Sequence, residues 1–80
     1  MNIASIKKAV DTLTMEQLVQ AEQDLLNDRP LQVDIEGYDE GEKLTHILAA
    51  IFCKQEMEKQ EININKAIRL YSQRFRGSIE

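Results

Sequence analysis

The sequence has little of several residue types on which proteins commonly build a site. Its 80 residues include one cysteine, Cys53, and one histidine, His46. A single cysteine cannot form an internal disulfide and is compatible with a reducing compartment. No apolar run approaches the ~20 residues that a helix needs to span a bilayer. The start has no basic, apolar and cleavable segments in order, so we see no export signal and expect a cytoplasmic protein.

The motifs of nucleotide binding and of common hydrolases are also missing. The three glycines lack the spacing of a phosphate-binding loop, and no serine lies in the context of a nucleophile elbow. The acidic run from Asp34 to Glu42 does not have the ligand spacing of a calcium-binding EF-hand loop. Its acids are instead placed to cap a helix and to interact with the helix dipole. We therefore predict no catalytic, metal or cofactor site.

The most apolar helix-length stretch is LTHILAAIFCKQEM, residues 44–57. At 100° per residue, one face carries the residues expected on an ordinary core-facing helix, namely Leu44, Ile47, Leu48, Ile51 and Phe52. The opposite face also lacks fixed charge, apart from any protonated fraction of the histidine, and consists of His46, Ala49, Ala50, Cys53 and Met57. A helix that is apolar nearly all round is normally buried nearly all round. Either two other helices of the same chain flank it, or a second copy covers one face.

The rest of the chain predicts three more helices and one extended segment. Thr14 and Gln17 form a capping box at the start of a helix, and residues 31–36 alternate between apolar and polar. That segment either lies over the helices, pairs with a short strand elsewhere in the chain, or pairs with its twin across a two-fold axis. With no internal repeat or linker, we predict one mainly α domain over residues 1–80, with a short extended or β segment between the second and third helices. The four helices are expected at about 3–12, 15–28, 41–59 and 64–76.

Cys53 and His46 share a face of the central helix, which suggests a Cys–His nucleophile. They are seven residues apart, or roughly 10 Å along the helix axis, so the pair cannot form within one chain. Because cysteine is among the most commonly buried residue types, we interpret Cys53 as a packing residue. His46 follows Glu42 by one helical turn, and we interpret it as an ordinary surface or interface histidine.

Charge is distributed unevenly along the chain. Residues 1–61 carry six Lys and Arg against thirteen Asp and Glu, a balance of −7, whereas residues 62–80 carry four against one, a balance of +3. A helix that binds nucleic acid usually belongs to a basic domain, but the net charge here is −4. We therefore expect no nucleic-acid or membrane partner, and we expect the basic patch to pair with the acidic edge of a second subunit or of a separate protein. The candidate basic patch consists of Lys66, Arg69, Arg74 and Arg76.

Three stretches resemble a small family of short, acidic bacterial proteins classified as a domain of unknown function. They are IKKAVDTLTMEQLVQAE, PLQVDIEGYDEGEKLTHILAAI and KAIRLYSQRFRGSI. The resemblance covers almost the whole chain, and the second stretch is its most specific part. It implies a single domain and supplies no catalytic residues. Through relatives encoded near thioredoxin-like and peroxidase proteins, it also implies a setting in thiol-redox physiology.

These observations favour a non-catalytic protein-interaction or regulatory module that acts as a homodimer. A chain this short buries only roughly 60 % of the surface that it exposes when unfolded, so self-association would add useful burial. The alternative hypothesis is a thiol-redox accessory protein that works through Cys53 with a thioredoxin-like partner, which requires an accessible, activated thiol. The candidate interface combines the second face of the central helix with the alternating segment, and its residues are His46, Ala50, Cys53, Met57, Val33 and Ile35.

Overall fold

Four helices account for most of residues 2–75, the part of the chain that the computed structural model describes. The predicted mainly α fold with four helices is confirmed, and every predicted helix end within residues 2–75 agrees to within two residues. The predicted end of the last helix, at residue 76, lies outside the described residues. The helices are α1 (Ile3–Thr12), α2 (Met15–Leu26), α3 (Glu40–Gln60) and α4 (Ile64–Arg74).

Local side chains start the helices, as the sequence predicts. Thr14 Oγ1 accepts a hydrogen bond from the Gln17 N–H at 3.1 Å, and Gln17 Oε1 accepts one from the Thr14 N–H at 2.9 Å, which completes the capping box. Asp39 and Asn63 each accept a hydrogen bond from the third residue of the helix that follows. These bonds satisfy N–H groups that no intrahelical carbonyl can reach.

α2 ends two residues earlier than predicted. Asp28 adopts the left-handed backbone conformation, with φ of 55°. This turn brings the Arg29 N–H to the Asp24 carbonyl oxygen, to which it donates at 2.7 Å. One of the carbonyls left without a partner at the end of α2 is satisfied in this way. The turn at Asp28, and not only the restriction that Pro30 imposes on Arg29, therefore ends the helix.

α3 lies in the middle of the fold, and α1, α2 and α4 each have their main interface with it. Its small-residue face is deeply buried, because His46, Ala49, Ala50 and Cys53 are each at most 1 % exposed. Small side chains let neighbouring helices approach closely. Helices of the same chain therefore flank α3, and a second copy is not needed to cover this face.

The face of α3 that carries the larger apolar residues is partly open. Ile47 is fully buried, but Leu48 is 41 % exposed and Phe52 is half-buried. The partial cover comes from Tyr71 of α4 and from Phe75 directly after it, whose rings lie edge-on to Phe52 with centroid separations of 5.5 Å and 5.9 Å. The face expected to be the ordinary core-facing side is thus the one that reaches the surface.

The segment between α2 and α3 has the burial pattern of a strand without being one. Along residues 31–36 the side chains alternate between more and less buried, and Ile35 is 5 % exposed. Residues 2–75 contain no strand, so the segment pairs with no other part of the described chain. It lies over the helices, as one of the three interpretations of the sequence proposed.

Gly37 lies at a close approach of this segment to α3. A Cβ atom at this position would lie 2.8 Å from Cγ and 2.9 Å from the backbone nitrogen of Lys43. The backbone nitrogen belongs to the first turns of α3 and cannot move aside as a flexible side chain can. Only glycine therefore fits where the segment meets the helix.

Candidate interaction surfaces

His46 connects three parts of the chain from inside the core. Its Nε2 accepts a hydrogen bond from the Asn2 N–H at 3.0 Å, and its Nδ1 lies 2.6 Å from the carbonyl oxygen of Glu36. A carbonyl oxygen can only accept, so Nδ1 carries the proton, and Nε2 must be unprotonated to accept from Asn2. The expectation of a surface or interface histidine is wrong, because both ring nitrogens are engaged within one chain. The ring joins the start of α1, α3 and the segment between α2 and α3. We call this segment, residues 27–39, the connecting segment.

Glu36 reinforces this connection at the surface. Its carboxylate accepts hydrogen bonds from Ser5 Oγ at 2.8 Å and from Lys8 Nζ at 3.0 Å. The hydrogen bond from Lys8, then that from Ser5 and the charge of Lys8, lower the pKa of Glu36, and the same contact raises the pKa of Lys8. The carboxylate therefore favours the folded state above its unfolded pKa, and this contribution disappears as the pH falls through the lower folded pKa. Both side chains are about half exposed, so the contact positions the segment more than it stabilises the fold.

Cys53 is a packing residue, as the sequence analysis proposed. Its side chain is 0 % exposed, and burial raises the pKa of the thiol to about 11. The thiolate is the reactive form of cysteine, and very little of it exists at neutral pH. The structure therefore gives no support to the hypothesis of a redox accessory protein.

We expect a thiol reagent such as Ellman's reagent to label Cys53 in the native protein at least ~100-fold more slowly than in denaturing urea, because labelling requires local or global opening. A matched control is the double variant Cys53→Ser, Gln23→Cys, which moves the only thiol to an exposed position on α2. That variant should react equally fast with and without urea. Fast labelling of native Cys53 would show that α3 is not packed as described.

Four of the six residues predicted to line an interface lie in the core of a single chain. Met57 and Val33 are half-buried and pack against that core. Side chains sealed inside one chain cannot meet a partner while the chain stays folded, so the six residues do not form one accessible surface. The four core residues are His46, Ala50, Cys53 and Ile35.

The basic patch lies along α4. Lys66, Arg69 and Arg74 are exposed, whereas Arg76 lies outside the described residues. Arg74 is also tied to the neighbouring helix, because its guanidinium carbon lies 5.5 Å from the centroid of the Phe52 ring, a cation–π distance. α4 contains no acidic residue, so the helix is a basic ridge on an otherwise acidic molecule.

Beside this ridge, α3 and α4 form an apolar groove, which we call the α3–α4 groove. It has a volume of about 450 Å³. Sequence analysis placed Leu48, Ile51 and Phe52 of this groove on an apolar face but assigned that face to the core. The spacing that could have identified the groove is the 3–4–3 pattern of residues 45, 48, 52 and 55. Its lining residues, none of which carries a formal charge, are Leu48, Ile51, Phe52, Tyr71 and Phe75 with the polar Thr45 and Gln55.

Residues 2–75 give no evidence of a metal site or of a membrane-spanning helix. No group of three or more His, Cys, Asp or Glu residues is arranged there to hold a metal ion. Two acidic residues of the connecting segment have structural roles instead, since Asp39 caps α3 and Glu36 accepts a hydrogen bond from Ser5 of α1. In the same part of the chain, none of the helices has the length and apolar character required to cross a membrane.

Comparison with known proteins identifies a family. The model of a family described as a family of unknown function (DUF6952) matches residues 1–80. This match confirms the resemblance to an uncharacterised domain family. No curated protein and no solved structure matches the chain.

Proposed function

We propose that the chain, which belongs to the family of unknown function DUF6952, is a non-catalytic protein-interaction module that forms a homodimer. The observation that carries the proposal is the α3–α4 groove. Leu48 and Phe75 are 41 % and 40 % exposed, and they lie in one groove with half-buried Ile51 and Phe52. Exposed apolar side chains that are grouped, unlike single ones, are typical of interaction surfaces.

The chemistry of the groove favours a second copy of the chain as its occupant. A two-fold interface places the same patch against itself, so a charged patch would meet its own like charges near the axis. Among the described residues, those that line the groove carry no formal charge, and Arg74, whose guanidinium lies over the Phe52 ring, is exposed. A second copy can therefore cover it without burying an unpaired charge, which would be strongly unfavourable.

The geometry of α3 supports the same occupant. Residues 45, 48, 52 and 55 lie along one stripe of the helix at spacings of three, four and three, the spacing at which two helices pack side by side at a shallow crossing angle. Leu48 and Phe52 are the apolar centre of this stripe, and Thr45 and Gln55 are its polar ends. α3 of one copy can thus lie against α3 of the other. The added burial would stabilise a domain whose own core is limited by its length.

The test is the oligomeric state of two variants matched in charge and exposure. Leu48 lies in the groove and is 41 % exposed, whereas Val19 on α2 is 43 % exposed and lies outside the groove. We expect sedimentation equilibrium to show a wild-type dimer at high micromolar concentration. Leu48→Glu should weaken dimerisation by at least ~100-fold, about 2.7 kcal/mol, because it places a charge in an apolar contact.

Val19→Glu should dimerise as the wild type does. Circular dichroism should show unchanged helicity in both variants, since both positions are exposed in the single chain. A wild-type monomer at high micromolar concentration would contradict the proposal. Equal weakening of dimerisation in Leu48→Glu and Val19→Glu would also contradict the proposal, because the weakening would then come from the change in net charge and not from the groove.

A further inference from the structure

A second cavity, which we call the α2 pocket, lies between α2 and the connecting segment. Its volume is about 210 Å³, which is room for several water molecules at roughly 30 Å³ each or for a short alkyl chain with a polar head. It lies apart from the α3–α4 groove and shares no lining residue with it. Its lining residues are Gln17, Gln20, Ala21, Asp24, Gln32 and Val33.

Asp24 is the unusual member of this lining. The residue is 2 % exposed. Its Oδ1 accepts hydrogen bonds from Gln20 Nε2 at 3.0 Å and from Arg29 Nε at 3.1 Å. Its Oδ2 is buried and has no hydrogen-bond partner among residues 2–75. A carboxylate accepts at both oxygens, so half of the acceptor capacity of a buried anion is unused, and native proteins seldom leave such a group unsatisfied.

The surroundings of Asp24 are rich in acceptors. Gln20 uses its Nε2 to donate to Asp24, which leaves its Oε1 as an acceptor. The exposed side chain of Gln32 makes no hydrogen bond within the described chain and can turn its own Oε1 towards the pocket. Ala21 and Val33 provide an apolar wall beside these groups, against which methylene groups can pack.

The net charge of the elements around the pocket favours a cationic ligand. α2 carries three acidic residues and no basic one, and residues 27–39 carry four acidic residues and one basic residue, which gives −3 and −3, or −6 in total. The ion pair that Arg29 Nε forms with Asp24 Oδ1 at 3.1 Å offsets part of this charge, and the negative field that remains attracts cations rather than anions. Asp24 is the only carboxylate in the lining of the α2 pocket, whereas Ca²⁺ and Mg²⁺ require several oxygen ligands. A cation that carries its own hydrogen-bond donors therefore fits better than a metal ion.

We propose that the α2 pocket binds an alkylammonium group, with its nitrogen donating to Asp24 Oδ2 and to the side-chain oxygens of Gln20 and Gln32. An ammonium has three donors and no acceptor, which matches the three acceptors of the pocket, and its methylene groups lie against Ala21 and Val33. Oδ2 is sealed from solvent in the free chain, so binding requires a rearrangement of side chains in the lining of the pocket. The ammonium belongs either to a free amine or to a lysine side chain of another protein. This inference is independent of the proposed homodimer.

The experiment is a titration of the full chain, uniformly labelled with ¹⁵N, followed by amide chemical shifts. The probe is n-butylammonium chloride, and the controls are sodium chloride for ionic strength and tetramethylammonium chloride for a cation without N–H donors. We expect saturable shifts with n-butylammonium that centre on the lining residues of the α2 pocket, and none with either control. Absence of a saturable shift would overturn the proposal, as would equal binding of tetramethylammonium.

Two variants test the assigned contacts. Asp24→Asn keeps the size of the side chain and removes its charge, and it should weaken binding by about tenfold or more. Gln32→Met removes one acceptor at an exposed position and should weaken binding by about threefold to tenfold, whereas Gln23→Met, an exposed change on α2 outside the pocket, should leave it unchanged. If Asp24→Asn does not fold, Gln32→Met and Gln23→Met decide the question. Wild-type binding by the folded Asp24→Asn or by Gln32→Met would overturn the proposal.

A second titration distinguishes the two sources of the ammonium. The probe is the capped peptide acetyl-Ala-Lys-Ala-amide, compared with n-butylammonium under the same conditions. Tighter binding of the peptide supports a lysine side chain of a protein partner as the ligand. Tighter binding of the free amine supports a small-molecule ligand with the same headgroup.

Discussion

Ala50→Glu is expected to prevent stable folding of this domain, whereas Gln23→Glu should leave its melting temperature nearly unchanged. Ala50 is 0 % exposed at the centre of α3, where glutamate would add both bulk and an uncompensated charge. The expected destabilisation exceeds about 5 kcal/mol. A domain of this length has roughly 4–12 kcal/mol of total stability. Thermal melting followed by circular dichroism is the measurement.

Gln23→Glu is a matched control for this change. It adds the same charge to a helix, at an exposed position on α2, so the two variants alter the net charge equally and differ only in burial. The difference in melting temperature therefore reports the burial of α3 directly. Equal melting temperatures would contradict the placement of Ala50 inside a single chain.

His46→Ala is expected to destabilise the domain by about 3 kcal/mol. It leaves a cavity in the core and removes the partners of two backbone groups, the Asn2 N–H and the Glu36 carbonyl. For a domain of this size the melting temperature should fall by more than about 10 °C. Urea unfolding should show a lower midpoint with an unchanged slope, because the loss is in the native state.

Lys8→Met provides the contrast for the histidine variant. It removes the surface contact to Glu36 but leaves the buried ring and its two hydrogen bonds in place. The unfolding midpoint of Lys8→Met should stay close to that of the wild type, because exposed ion pairs contribute little. If Lys8→Met destabilised the domain as much as His46→Ala, the connection between α1 and the segment would depend on the surface pair and not on the histidine.

The helices could be predicted from the sequence because their signals are local. Thr14 and Asp39 each bond to a backbone N–H three residues away, so capping and periodicity suffice to place the helix starts. The 2-residue alternation of the connecting segment likewise predicted which of its side chains turn inward. Its lack of a partner strand left three interpretations open, since pairing is not a local property.

The orientation of α3 could not be predicted in the same way. Periodicity shows that His46, Ala50 and Cys53 share one face and that Leu48 and Phe52 share another, but it does not show which face the other helices cover. Both faces were expected to be covered, because the helix is apolar nearly all round. The close packing of three helices around α3 favours the smaller side chains instead, and the larger ones line the groove.

Long-range polar contacts were the least accessible to sequence analysis. The partners of His46 lie 44 and 10 residues away, and the close approach of Gly37 to Lys43 depends on the packed fold. Asp24 was also missed, although a signal was present. Gln20 lies four residues before it, a spacing at which side chains on one helix meet, whereas Arg29 comes after the end of α2 and reaches Asp24 through the turn at Asp28.

The arrangement of three helices around α3 has a consequence for how the domain comes apart. The main helix–helix interfaces within residues 2–75 all include α3, so loss of this one helix removes them together. Detachment of α4, by contrast, leaves the interfaces of α1 and α2 with α3 intact and is a separate, smaller opening. The chain therefore cannot be divided into two halves that fold independently, and any fragment without residues 40–60 lacks the surface on which its remaining helices assemble.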